Sequence, residues 1–249
     1  AAAFSVARLG EGAAWLTQDT RGQRVVIRTS GYQPMRISTF AVEQALAGYA
    51  TISDAIAYTY QQAGHEFYVL TFPSADATWV YDLATDMWHK RAWRDSNNVL
   101  HRHRSNCCAV FQNQIIVGDY ANGNLYAFSQ STYTDNGDPI PCIRRCPHLT
   151  TDLKNQFFHD LQIQFQPGVG LQQPAQGSTP QAMLTWSDDG GSTWSNQHWA
   201  DIGQVGKYKN RAIWRRLGWA RDRIFEVAVT DPVYRVIVSA NLNASVGAH

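Results

Sequence analysis

The stretch from Leu184 to Trp194, LTWSDDGGSTW, decides how the chain is read. Leu184, Thr185 and Trp186 are β-formers, Asp188-Asp189-Gly190-Gly191 carries turn chemistry, and Thr193-Trp194 resumes the extended pattern. Strand, tight glycine turn and strand is therefore the predicted local structure. Working outward, the same texture of short β-rich runs and turns fills most of the chain.

Ser187, Asp189, Gly191, Thr193 and Trp194 fit the spacing Ser-x-Asp-x-Gly-x-Thr-Trp, which resembles the Asp-box hairpin of sialidases and other β-propellers. A carboxylate there can accept hydrogen bonds from the turn's own amides, glycine permits positive φ, and the tryptophan packs the hairpin on its sheet. Such a box folds a turn and performs no chemistry.

The 249 residues suffice for a substantial core in one large or two ordinary domains. A hydrophobic content of 44% with 16% charged residues is that of a globular protein, and nine tryptophans suit cross-strand aromatic pairing. The net charge of +1 gives no overall field toward nucleic acid or an anionic membrane. No apolar run reaches the ~18 residues of a membrane-spanning helix. The opening AAAFSVARLG lacks both a methionine and the order of a signal peptide, so the chain is expected to be the C-terminal piece of a longer protein.

From Ala13 to Arg145, runs such as AAWLT, RVVIRT, EFYVLTF, TWVYDL, CCAVF and QIIVGDY alternate with turns. Aligning Trp15, Tyr58 and Val110 gives three passes of one plan at a spacing of about 40 to 50 residues, a period of four-stranded propeller blades. Phe67 to Phe72 is apolar without alternation, as in a strand buried on both faces. Ser38 to Ala47 predicts a helical insertion near 38–48, with Val42, Ala45 and Leu46 at helical spacing and Gly48 as its stop. From 151 the pattern becomes one-sided, with Leu161, Ile163 and Phe165 alternating with glutamines. The predicted architecture is all-β: β-propeller-type blades over 1–150, about three and part of a larger propeller, followed by a β-sandwich-like C-terminal domain over 151–249. A flexible loop is expected at 167–180, and the tail ending in His249 is expected to stay unordered.

No Walker loop, nucleophile elbow or zincin motif is present, and no catalytic or cofactor-binding residue is assigned. Cys107-Cys108 and Cys142-Cys146 could suggest zinc, but consecutive strand residues point to opposite faces and the spacing is not that of a knuckle, so they read as buried or half-buried reduced thiols and no metal site is expected. A glycan-binding or sialidase-like reading would need clustered arginines with an acid, a base and a nucleophilic tyrosine. The arginines exist in IWRRLGWARDRIFEV, whereas their acidic partners are sparse. Arg211, Trp214, Arg215, Arg216, Arg221 and Arg223 are therefore predicted to form a solvated strand face or a subunit interface.

The passage DDGGSTW, followed by IGQVGKYKNRAIWRRLGWARDRIFEVAVTDPV over Ile202 to Val233, resembles the packaged-DNA stabilisation proteins of short-tailed bacteriophages, their tail hub or nozzle subunits. The resemblance implies a virion tail protein without catalysis, assembled in the bacterial host cytoplasm. It also implies a ring of copies, a hexamer, below the portal and adaptor proteins, retaining packaged DNA and carrying tail spikes, fibres or a needle. Double-stranded DNA would pass through the lumen without sequence-specific binding, and a near-neutral charge suits such sliding. The competing expectation is an Asp-box propeller that binds or hydrolyses glycans.

Overall fold

The computed structural model of the chain describes residues 2–247. It divides into two compact units, Ala1–Ser129 and Gln130–His249. The tail expected to be unordered runs through a strand as far as Val246; its last two residues lie outside the described ones.

In the first unit β1 (Ala7–Leu9), β2 (Gly12–Gln18), β3 (Arg24–Ser30) and β4 (Gln33–Arg36) form an antiparallel meander. Helix α1 (Phe40–Ala47) comes next. A second meander comprises β5 (Ile56–Gln62), β6 (His65–Phe72), β7 (Ala77–Asp82), β8 (Met87–Arg94) and β9 (Leu100–Arg102), and a third β10 (Ser105–Phe111), β11 (Gln114–Asp119) and β12 (Leu125–Ala127). These are three sheets in the order of the three sequence passes. Hairpins join them because short polar side chains satisfy the turn amides: Asp82 Oδ1 accepts from Ala84 N at 3.0 Å and Oδ2 from Thr85 Oγ1 at 2.7 Å. Asn122-Gly123 does not form a two-residue turn; it lies within the longer connection between β11 and β12, where Asp119 Oδ1 accepts from Ala121 N at 2.7 Å.

The missing alternation in β6 and β7 has a direct cause. Tyr68, Leu70, Phe72, Trp79 and Tyr81 face a core shared with Leu16 and Val26 of the first sheet, whereas Val69 and Val80 face Cys108, Ile115 and Phe128 of the third. Both faces are therefore covered, and an apolar residue is favoured at every position. The helix fills the join between the first and second sheets with Val42 and Leu46. Thr39 is the N-cap and makes no side-chain cap bond, because Ser38 Oγ donates to Glu43 Oε1 at 2.6 Å while accepting from Val26 N at 3.1 Å.

The second unit starts ahead of the expected boundary at 150. After the small hairpin of β13 (Thr134–Asp135) and β14 (Asp138–Pro139), strand β15 (Cys142–Arg145) pairs with a strand far along the chain, and these main-chain bonds bind it to the C-terminal unit. The remaining strands are β16 (Leu149–Thr150), β17 (Gln156–Phe165), β18 (Gln181–Ser187), β19 (His198–Asp201), β20 (Ala212–Arg215), β21 (Trp219–Ala220), β22 (Asp222–Val229) and β23 (Ile237–Val246). One sheet has the order β15-β22-β18-β19, with β16 also on β22; in the other, β17 pairs with β20, β21 and β23. Phe158, Leu161, Ile163, Phe165 and Trp214 of the second sheet share a core with Leu184, Phe225, Val227 and Val229 of the first. The wet-face, buried-face alternation of β17 thus reports a two-layer packing. The 167–180 segment holds no strand, but Leu171 N donates to Gly177 O at 2.9 Å, and a Cβ on Gly170 would stand 3.1 Å from Gln204 Cα.

Candidate functional site: the aspartate hairpin and the arginine strand

β18 delivers Ser187 to the start of the hairpin, and Asp189 organises the turn. Its carboxylate accepts from Thr193 N at 2.9 and 3.0 Å, from Thr193 Oγ1 at 2.7 Å and from Ser187 Oγ at 2.7 Å. Gly191 N donates to Ser187 Oγ at 2.8 Å, and Trp194 Nε1 donates to Gly191 O at 3.2 Å. Gly190 and Gly191 have φ of 72° and 97°, the left-handed region that glycine enters without strain. The Thr193 hydroxyl first, then its amide and the Ser187 hydroxyl, hold the Asp189 carboxyl well below the usual carboxylate range. All five residues picked from the spacing meet in one loop, but Thr193-Trp194 does not resume a strand as expected: the chain rejoins β18 through Ser195 N on Trp186 O at 2.9 Å, and the return strand β19 begins only at His198. The carboxylate is saturated by donors from its own loop, so it is a structural group and not a free acid or base.

Sequence reading missed the neighbour, Asp188. Arg223 on β22 donates through Nε to Asp188 Oδ1 and through Nη2 to Asp188 Oδ2, both at 2.6 Å, and through Nη1 to Leu217 O. Its guanidinium lies 4.7 Å from the Phe158 ring centre and 5.3 Å from that of Trp186. The side chain is only 2% exposed. The doubled Asp188-Asp189 was the available signal, since one carboxylate suffices for the turn.

The proposed arginine face therefore needs correction. Arg223 and Trp214 are buried, the latter donating from Nε1 to His198 O at 2.8 Å, so neither is available to a second subunit. Strand alternation explains Trp214, whose neighbour Arg215 points outward; the fixed carboxylate of Asp188 explains Arg223. Arg211, Arg215, Arg216 and Arg221 are exposed. Arg211 donates to Gln162 Oε1 at 3.3 Å and Arg221 to Asn155 Oδ1 at 3.2 Å, and among the described residues none of the four forms an ion pair. Arg223, locked onto Asp188, cannot join a carboxylate-binding arginine cluster of the sialidase kind. Cys107 and Cys108 occupy successive positions of β10, opposite Gly118 and Val117; Cys108 and Cys146 are half-buried, but Cys107 and Cys142 are exposed, contrary to the expected burial.

Comparison with family models matches residues 1–133 to "Bacteriophage P22 Gp10, beta-propeller" and residues 143–245 to "Bacteriophage P22 Gp10, beta-sandwich". The chain belongs to the bacteriophage P22 Gp10 family. The three meanders are thus propeller blades and the two-layer unit is the family's sandwich. The Gp10 family is one of structural phage proteins of the tail nozzle, and membership in it implies a structural role in the virion tail. No curated protein matches it. Among solved structures, exo-beta-1,3-galactanase from Phanerochaete chrysosporium aligns at 8% identity and a TM-score of 0.22, covering 94% of this chain and 56% of that one. A glycoside hydrolase family 43 arabinoxylan arabinofuranohydrolase from Bacillus subtilis aligns at 6% identity and a TM-score of 0.20, covering 96% and 52%. The chain spans little more than half the length of these enzymes, and similarity at this level supports no argument about chemistry.

Proposed function

We propose that the chain is a nozzle subunit that extends the DNA conduit below the portal and adaptor, retains the packaged double-stranded DNA, and carries spikes, fibres or a needle outside. The observation that carries this reading is the match of both units, in order, to the two Gp10 family models. Copies would assemble as a hexameric ring in the host cytoplasm. The near-neutral charge of +1 supports a wall along which DNA slides, since a strongly basic lumen would hold the duplex through many phosphate contacts.

Arg211, Arg215, Arg216 and Arg221 are the best candidates for the contact between ring neighbours. Exposed guanidiniums without carboxylates of their own can pair with those of an adjacent copy or of the adaptor. The hairpin of Ser187, Asp189, Gly191, Thr193 and Trp194 serves as a rigid corner of the sandwich.

The test uses DNA-filled, adaptor-bearing capsids lacking the nozzle. Adding the protein should produce rings on the capsid vertex and lower the nuclease-sensitive DNA; capsids equally leaky with and without it would reject the proposal. Neutralising Arg215 and Arg216 to Gln together should abolish ring addition while leaving the unfolding midpoint nearly unchanged, since no second negative charge is placed opposite Asp160.

A further inference from the structure

β23 is a long edge strand protected by neither charge nor proline. It runs for ten residues, Ile237–Val246, and among the described residues it pairs only with β17, leaving its other edge of N–H and C=O groups free. Natural edges are blunted with charges, proline or bulges. The strand IVSANLNASV contains no charged residue and no proline, and its irregularities lie near its two ends, at the pairs Phe158/Asp160 and Gln164/Phe165 of its partner.

Its core-facing side is also uncovered. Ala240, Leu242 and Ala244 pair with Ile163, Leu161 and Phe158, whose side chains are buried, so this side of the strand points toward the interior. Yet Leu242 is 37% exposed and Val246 51%, and Val238, which the register with β17 skips between Ser239 and Ile237, is 60% exposed. The second sheet overhangs the first by this strand.

What fits the edge is written in the sequence. Residues 238–246, VSANLNASV, read the same in both directions about Leu242. In an antiparallel pair centred on a two-fold axis at Leu242, Val238 meets Val246, Ser239 meets Ser245, Ala240 meets Ala244, Asn241 meets Asn243, and Leu242 meets its own copy. Directly opposite residues of antiparallel strands share a face. Ala240, Leu242, Ala244 and Val246 would therefore form one apolar row across both copies, with the bulged Val238 opposite Val246 at its ends, and the Ser and Asn set the other. An isologous contact requires each pairing to occur twice, residue i on j and j on i, and the palindrome makes both members of every pair the same residue type.

We propose that two copies of this chain associate through β23, edge to edge and antiparallel about Leu242, joining their sandwich sheets into one continuous sheet. The two copies run in opposite directions. The contact therefore cannot close a ring whose subunits all point the same way along a conduit, and it belongs to the unassembled protein. The proposal does not depend on the nozzle reading: capsid leakage tests one and solution mass the other.

The experiment is light scattering of the purified chain at roughly 10 to 100 μM, where micromolar association becomes visible. The wild type should show twice the 27.9 kDa of the chain. Leu242→Lys and Leu242→Asp should each weaken association by about tenfold or more, because like charges would sit directly opposite one another. An equimolar mixture of the two should restore it. Val238→Lys with Val246→Lys should dissociate the dimer, whereas Val238→Lys with Val246→Asp should keep it; both sites are over half exposed, so folding is spared. A monomeric wild type, a Leu242→Lys variant that remains dimeric, or a Lys and Asp mixture that fails to recover would each overturn the proposal.

Discussion

Arg223 grips Asp188 with two parallel hydrogen bonds of 2.6 Å while lying against the rings of Phe158 and Trp186. This pair ties β22 to the loop after β18 and fixes the side of the hairpin opposite the Asp189 turn. Asp188→Ala leaves the buried guanidinium without its anion. Breaking a fully buried pair costs roughly 3–5 kcal/mol; with Asp188 still 42% exposed, about 2–3 kcal/mol is expected here. The midpoint of urea unfolding measures it. Arg223→Met, which keeps the volume and removes the charge, should be milder.

Asp189→Ala removes the acceptor for the Thr193 amide and hydroxyl and should lower the thermal midpoint, with Asp189→Asn intermediate because it retains one oxygen. The carboxyl is held below its unfolded value of about 4, so its contribution is present above that pH and is lost as pH falls through the lower folded value. The gap between wild type and Asp189→Ala should therefore narrow in acid. A gap that stayed constant down to the acid transition would mean that the charge contributes nothing.

Two kinds of histidine are expected in the first unit. His103 and His89 are pushed down to about 4, chiefly by burial and then by Arg91, whereas Asp76 first, with Asp95, holds His101 above its ordinary value. His101 stabilises the fold below about pH 6.5 and loses that contribution as pH rises through its higher folded value; the buried pair destabilises as pH falls from about 6.5 toward 4. Ring-proton NMR should show His101 titrating above 6.5 and His89 and His103 near 4. Asp76→Asn should lower the His101 midpoint and leave His103 unmoved.

Leu70 is fully buried between the first and second sheets. Leu70→Ala should cost about 2–5 kcal/mol by leaving a cavity. Leu125 lies on the open face of the third sheet at 72% exposure, and Leu125→Ala should change stability by less than about 0.5 kcal/mol. Denaturant unfolding of the two variants compares a covered blade face with an uncovered one.

The sequence alone determined the β class, the three repeated sheets, the helix between the first two, and the Asp189 turn, though not the late start of its return strand at His198. Each is a local matter: turn donors and acceptors lie within a few residues of each other, and the strand runs have their own period. It also carried the palindrome of β23, whose meaning depends on knowing that the strand stands at an edge. Only the tertiary structure decided the rest. Cys142–Arg145 joins the second unit because it pairs with β22, more than eighty residues away in number. Arg223 leaves the surface because Asp188, 35 residues earlier, reaches it. Charge pairing and strand order are set by long-range contacts that no local periodicity encodes, so a run of arginines read the same whether it faced water, a neighbour or the core.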